Sequence, residues 1–268
     1  MGYILTNEQK YQEMLQRIRG FRLLDDDFMT KCFSENIEAT ELVLRIVLDK
    51  PDITVVKVQT QYTMKNIMGR SLRLDIYATD SEDKKYNIEL QRMDKCAGAK
   101  RARYNCSLID SNILPAGVDV ENLAETYVIF ITENDVIGWN KPIYHIDRYI
   151  KETSDCFNDG SHIIYVNAAY KADTELGKLM HDFTVIEPDD MNFKVLAETA
   201  SYYKKSKEGI YSMCKAMEEM ISDFVTDEKK MAAIRMLERG KLTLMEIAED
   251  LLLPVEVVEE LAKELQAV

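Results

Sequence analysis

Two alternating segments joined by a short polar stretch constrain this chain most. In residues 71–79, Leu72, Leu74, Ile76 and Ala78 alternate with Arg73, Asp75, Tyr77 and Thr79. Residues 80–84, Asp-Ser-Glu-Asp-Lys, read as a hairpin loop. Alternation returns in 85–91, with Tyr86, Ile88 and Leu90 against Lys85, Asn87, Glu89 and Gln91. A period of two predicts a pair of antiparallel strands, each with an apolar and a polar face. The period then becomes helical over 97–114, where Ala102, Cys106, Ile109 and Ile113 form one apolar stripe. Thr126–Thr132 is an apolar run with the length of a buried strand.

The flanks extend this pattern. Residues 8–19 read as a polar helix, and Asp25-Asp26-Asp27 starts a helical stretch reaching about Leu48, ended by Pro51-Asp52. The helix dipole favours acids at such a start. Residues 53–64 are rich in Val, Thr and Tyr and predict a further strand, with Gly69 in a turn. Extended pieces follow at Ile143–Ile150 and His162–Tyr170, separated by the Asn158-Asp159-Gly160 turn, and the chain is helical from about Asp173. The expected organisation is an N-terminal helical extension (1–20), a mixed α/β core (21–172) and a helical C-terminal region (173–268).

Composition bounds the function. The chain of 268 residues carries a formal charge of −13, which argues against a surface that binds polyanions everywhere and requires any nucleic-acid site to be a local basic patch. The longest apolar run, Tyr127–Ile131, is too short to span a membrane. Five scattered cysteines with no C-x-x-C pair read as reduced thiols and place the protein in the cytoplasm. Met1–Thr6 matches a loose myristoylation pattern, but no basic cluster follows it.

The chemistry concentrates at the hairpin. Adjacent strands bring Asp75 and Glu89 together, and Gln91 shares the face of Glu89. Two converging carboxylates repel unless a proton or a cation lies between them. A hard divalent ion such as Mg²⁺, or Mn²⁺, suits such a pair, because it takes one or two carboxylates and keeps waters for substrate phosphates. The same spacing is also that of a solvated hairpin with a polar outer face. Arg92, Lys95, Lys100, Arg101 and Arg103, against Asp94 alone, give residues 92–103 a net charge of +4. On the following helix Lys100, Arg103, Tyr104 and Ser107 lie away from the apolar stripe. A basic helix there suits the flanking phosphates of a nucleic acid, and equally a solvated face paired with acids elsewhere.

Four blocks carry a family resemblance: Asp26-Asp27-Phe28-Met29, Gly69-Arg70-Ser71-Leu72-Arg73-Leu74-Asp75, Tyr86-Asn87-Ile88-Glu89-Leu90-Gln91-Arg92 and Gly98-Ala99-Lys100-Arg101-Ala102-Arg103-Tyr104. In this order they resemble the bacterial PD-(D/E)XK nuclease family transposases, also called recombination-promoting nucleases, over roughly residues 21–210. The resemblance implies a restriction-endonuclease-like core, a mixed sheet flanked by helices, and Mg²⁺-dependent DNA cleavage tied to recombination or a mobile element. It implies that Asp75 and Glu89 ligate the metal with the backbone carbonyl of Leu90. Gln91 stands where the wider superfamily has Lys. An amide orients a water but carries no charge, so more of the nucleophile activation falls to the metal. Asp26, with Glu41 as the alternative, is the acid expected to support the metal's water shell. Lys100, Arg101, Arg103 and Tyr104 are expected to face DNA. A double-strand cutter with one site per chain is most simply a homodimer.

Other features are weaker. His145, His162 and His181 lack zinc spacing and read as structural, and Trp139 reads as packing. Residues 228–268 resemble a helix-turn-helix, with Thr243 and Glu246 spaced as a capping box. Residues 218–268 carry thirteen acids against six bases, and Glu256, Glu259, Glu260 and Glu264 face a lone Lys263 on the last helix. Phosphates would repel it, which favours packing or dimerisation over DNA reading. The missing lysine and the −13 charge keep open an interaction module that retains the fold without turnover. A third possibility keeps the chemistry but changes the substrate to RNA, since a carboxylate-held metal attacks either phosphodiester.

Overall fold

The computed structural model describes residues 7–66, 69–92, 97–240 and 242–266, with the side chains of 7–10, 218–228, 264 and 266 excepted. The Met1–Thr6 pattern, Asp94, Lys95, Cys96 and the Glu264 side chain lie outside the described residues. The chain divides into two compact units, Met1–Met213 and Cys214–Val268.

The first unit is built on a six-stranded mixed sheet of order β1-β2-β3-β4-β6-β5. Its strands are β1 (Val55–Met64), β2 (Leu72–Asp80), β3 (Lys85–Gln91), β4 (Thr126–Thr132), β5 (Ile143–Ile146) and β6 (Ser161–Asn167). β1, β2 and β3 are antiparallel, β3-β4 and β4-β6 are parallel, and β5 returns antiparallel to β6. The β2–β3 loop is held by Asp80, whose Oδ1 accepts from the Glu82 and Lys84 amides at 3.0 and 2.9 Å. Tyr86 donates to the other oxygen at 2.6 Å. All of β4 is buried, as its unbroken apolar run requires when both sheet faces are covered.

Helix α4 (Ala99–Ile113) is the crossover between β3 and parallel β4. Its Ala102, Cys106 and Ile109 pack on Tyr77, Val128, Phe130 and Tyr165. Helices α1 (Asn7–Gly20), α2 (Asp26–Phe33), α3 (Ile37–Leu48), α5 (Glu175–Thr184) and α6 (Lys194–Lys205) also belong to this unit. Phe33 of α2 stacks on Phe183 of α5 at 6.1 Å. Lys204 of α6 is buried and donates to the carbonyls of Arg19, Phe21 and Ile186.

Three expectations change. The helical stretch from Asp25 to Leu48 is two helices, because Glu35 takes a left-handed φ of 55° and the Asn36 side chain caps α3 by accepting from the Ala39 amide at 3.1 Å. The hairpin face carrying Asn87 and Glu89 is not solvated, because α4 covers it and both residues are buried. Trp139 is not packed inside, being 75 % exposed with an edge contact to Tyr144.

The helix α7 (Lys207–Arg239) begins in the first unit and ends in the second. There α8 (Leu244–Leu251) starts with a complete capping box, in which Glu246 N donates to Thr243 Oγ1 and Thr243 N to Glu246 Oε2. Ala233, Ile247, Ala248 and Val258 form a small core with α9 (Val255–Gln266). Glu256, Glu259 and Glu260 of α9 are exposed. Among the described residues no helix is long and apolar enough to cross a membrane.

Candidate active site

The β2–β3 register pairs Ile76 with Ile88, and its next step sets Asp75 opposite Glu89. There a side chain takes over from the ladder, as the Leu90 amide donates to Asp75 Oδ2 at 2.9 Å. Glu89 has no exposed surface. Its Oε2 is 2.8 Å from Arg101 Nη2, and its Oε1 has no hydrogen-bond partner. Burial, and then the charge of Glu89, push the Asp75 carboxyl up to about 8. Burial also raises Glu89, while Arg101 pulls it back toward ionisation. The two acids are coupled, and burial favours keeping a proton on the pair.

A polar seam runs on from Glu89 beneath α4. This helix is antiparallel to β3, so one turn from Arg101 to Asn105 matches two strand residues from Glu89 back to Asn87. Asn87 and Asn105 are both fully buried, and neither amide has a hydrogen-bond partner. The Asn87 amide still lies near enough to favour the charged form of Glu89.

Asp75 opens into a cleft of about 1080 Å³. Leu90 and Gln91 line it from β3, and Lys100, Arg101, Tyr104 and Asn105 from α4. Asn66, Gly69, Arg70, Ser71, Leu72 and Arg73 line it from the β1–β2 turn and the start of β2, and Leu24, Asp26 and Arg92 complete it. Five basic side chains thus face two acids in a protein of charge −13. α4 opens with Lys100 and Arg101 in its first turn and no acid there, against the helix dipole, and Glu89 offsets that local charge.

A charged network steadies the rim. Arg92 Nη1 meets Asp25 Oδ1 at 2.7 Å, and Arg22 Nη1 meets Glu133 Oε1 at 2.7 Å. The hydrogen bond from Arg22 holds Glu133 below its ordinary range.

The residues singled out from sequence separate here. Asp75, Glu89, Leu90 and Gln91 come together, and Asp26, Lys100, Arg101 and Tyr104 join them around the cleft. Arg101 turns inward to Glu89, and the Tyr104 hydroxyl ties down the Arg70 carbonyl and accepts from Asn66 Nδ2 at 3.3 Å. Arg103 is exposed and lies outside the cleft lining. Glu41 is committed elsewhere, accepting from the Val55 amide at 2.9 Å and pairing with Arg45 at 2.7 Å, so it is no alternative to Asp26. Sequence reasoning missed Arg70 and Arg73 as lining residues, although both stand in the block that ends at Asp75.

The donor set fits a hard divalent cation. A buried carboxylate oxygen lacks a partner, and a cation would relieve the repulsion between Asp75 and Glu89. Among the described residues no three of His, Cys, Asp and Glu are grouped to hold an ion together.

Comparison with curated proteins and with solved structures finds no match. A family model described as PD-(D/E)XK nuclease family transposase matches residues 31–239, which contain the whole sheet, α4 and nearly all of the cleft. The mixed sheet, the paired acids on β2 and β3 and this match over most of the chain agree, and the chain belongs to the PD-(D/E)XK nuclease family transposases.

Proposed function

We propose that this protein is a metal-dependent endonuclease that hydrolyses DNA phosphodiesters in recombination or on behalf of a mobile element. The observation that carries the reading is the Asp75–Glu89 pair on adjacent strands, with Glu89 buried and the half-buried Asp75 opening into a cleft lined by five basic side chains. Asp75, Glu89 and the Leu90 carbonyl would hold Mg²⁺ or Mn²⁺. When bound, such an ion stabilises charge on a phosphoryl oxygen and lowers the pKa of water. Gln91 orients the attacking water but cannot take its proton, since an amide is no base at neutral pH. Arg70, Arg73 and Lys100 engage phosphates on either side of the scissile bond. Water adds to phosphorus and gives one proton to solvent, the P–O bond to the leaving sugar breaks and that oxygen takes a proton from solvent, and the products are a phosphate monoester and an alcohol.

The test is cleavage of supercoiled plasmid with Mg²⁺ and then Mn²⁺, wild type beside Asp75→Ala and Glu89→Ala. Metal-dependent cutting that both substitutions abolish supports the reading. Cutting that survives both removes the chemistry from this hairpin. One observation favours a second reading, an interaction module without turnover: Arg101 already neutralises Glu89. A protein that neither cuts DNA or RNA nor binds Mn²⁺ would favour it.

A further inference from the structure

Gln61 lies inside β1 with a left-handed φ of 52°. The other non-glycine residues of positive φ among those described lie at helix ends or in loops: Glu35, Asp49, Asp83, Asn140, Ser154, Asn158 and Leu252. A glycine adopts this backbone freely, whereas a glutamine is strained in it. Such strain persists only where surrounding contacts hold it, and it concentrates at working sites.

The place of this strain is specific. The β1–β2 ladder pairs Thr60 with Ile76 and Tyr62 with Leu74, so Gln61 stands across from Asp75 at the step between. Opposed residues of an antiparallel ladder share a face, which would put a regular Gln61 beside Asp75. The left-handed backbone takes the side chain to α2 instead. There Gln61 Nε2 donates to Asp26 Oδ1 at 2.9 Å and to Thr30 Oγ1 at 3.1 Å. Asp26 and Thr30 are one helical turn apart, so a single amide reads both.

Asp26 needs such a tie. It is exposed at the first position of α2 and lines the cleft. Its charge is felt at Asp75. Without Gln61 its short side chain could turn to solvent. Strain, hydrogen bonds and register thus meet at one residue, across the sheet from the acid the chemistry needs.

We propose that Gln61 is a positioning residue: it fixes the Asp26 carboxylate at the mouth of the cleft, facing the Asp75–Glu89 pair, where Asp26 holds the outer water shell of a divalent cation. The inference rests on the metal-site reading above.

Gln61→Gly separates this role from a structural one, because it relieves the backbone and deletes the amide together. Mn²⁺ affinity by calorimetry and melting temperature in EDTA are measured for wild type, Gln61→Gly, Asp26→Asn, the double variant and Asp75→Ala. The expected result is a Gln61→Gly protein that melts at or above wild type and binds Mn²⁺ several-fold more weakly. In the Asp26→Asn background Gln61→Gly should add nothing to that loss. Wild-type Mn²⁺ affinity in Gln61→Gly overturns the inference, as does an undiminished further loss in the double variant. If Asp75→Ala binds like wild type, or wild type binds no Mn²⁺, the metal-site reading falls and this inference with it. If Asp75→Ala loses binding while Gln61→Gly does not, only the role of Gln61 falls.

Discussion

Arg101 Nη2 lies 2.8 Å from Oε2 of Glu89, a carboxylate with no exposed surface whose other oxygen has no hydrogen-bond partner. The guanidinium therefore supplies the main compensation for a buried charge. Its own side chain is 37 % exposed, so solvent screens part of that contribution. Removing one partner of such a pair costs more than the pair itself is worth. Arg101→Met is expected to destabilise the protein by roughly 1–3 kcal/mol in EDTA. Added Mn²⁺ should restore more stability to the variant than to wild type, because the ion then faces no competing cation. Urea unfolding with and without Mn²⁺ checks both, and an unchanged midpoint in EDTA would refute the role of Arg101.

The Asp75 carboxyl gives a pH dependence of unusual sign. Burial and Glu89 raise it to about 8, above the ordinary value of an unfolded aspartate. Between those two values the folded protein keeps a proton that the unfolded chain has lost. Stability of the metal-free protein therefore falls as pH rises from about 4 to about 8. Asp75→Asn cannot ionise and should flatten this slope. Melting temperatures in EDTA across that range test it, and parallel profiles for variant and wild type would exclude Asp75 as the source.

Much of the hairpin is legible in sequence, because period-two alternation and a short polar loop fix which residues oppose each other. Asp75 and Glu89 follow from counting. The burial of that face does not, because it depends on how closely α4 lies over β3, and strand alternation carries no record of what covers a face. The break between α2 and α3 hides because neither Gly nor Pro marks residues 34–36, although Asn36 ahead of Ala39 was a readable cap. The spacing of Glu41 and Arg45, one helical turn apart, was a readable signal that Glu41 pairs locally rather than serving a site. The left-handed backbone of Gln61 is not legible at all, since nothing in that residue type asks for positive φ.

The Lys204 ammonium, held by the carbonyls of Arg19, Phe21 and Ile186, sits 5.2 Å above the Phe28 ring. Burial lowers its pKa, and Glu187 works against that shift. Lys204→Met keeps the stem but strands three carbonyls, at an expected cost of about 1–3 kcal/mol. The loss should localise to the turn between α1 and α2, which leads into Asp25 and Asp26. Faster hydrogen exchange across residues 19–26 is the expected sign, and exchange unchanged there would rule out Lys204 as the tie.

If DNA binds in the cleft as proposed, the lining predicts which cations touch it. Arg73 is exposed and lines the cleft beside Asp75, whereas Arg103 is exposed on α4 outside that lining. A phosphate contact releases counterions, so losing one lowers affinity and flattens the salt dependence together. In Ca²⁺, used so that binding is read without turnover, Arg73→Ala should weaken duplex binding several-fold. It should also lower the slope of log affinity against log salt by about one. Arg103→Ala should change neither. Titrations at several salt concentrations separate the two outcomes. Equal losses in both variants would mean that DNA lies along the exposed face of α4 rather than in the cleft, and it would move the phosphate path away from Asp75.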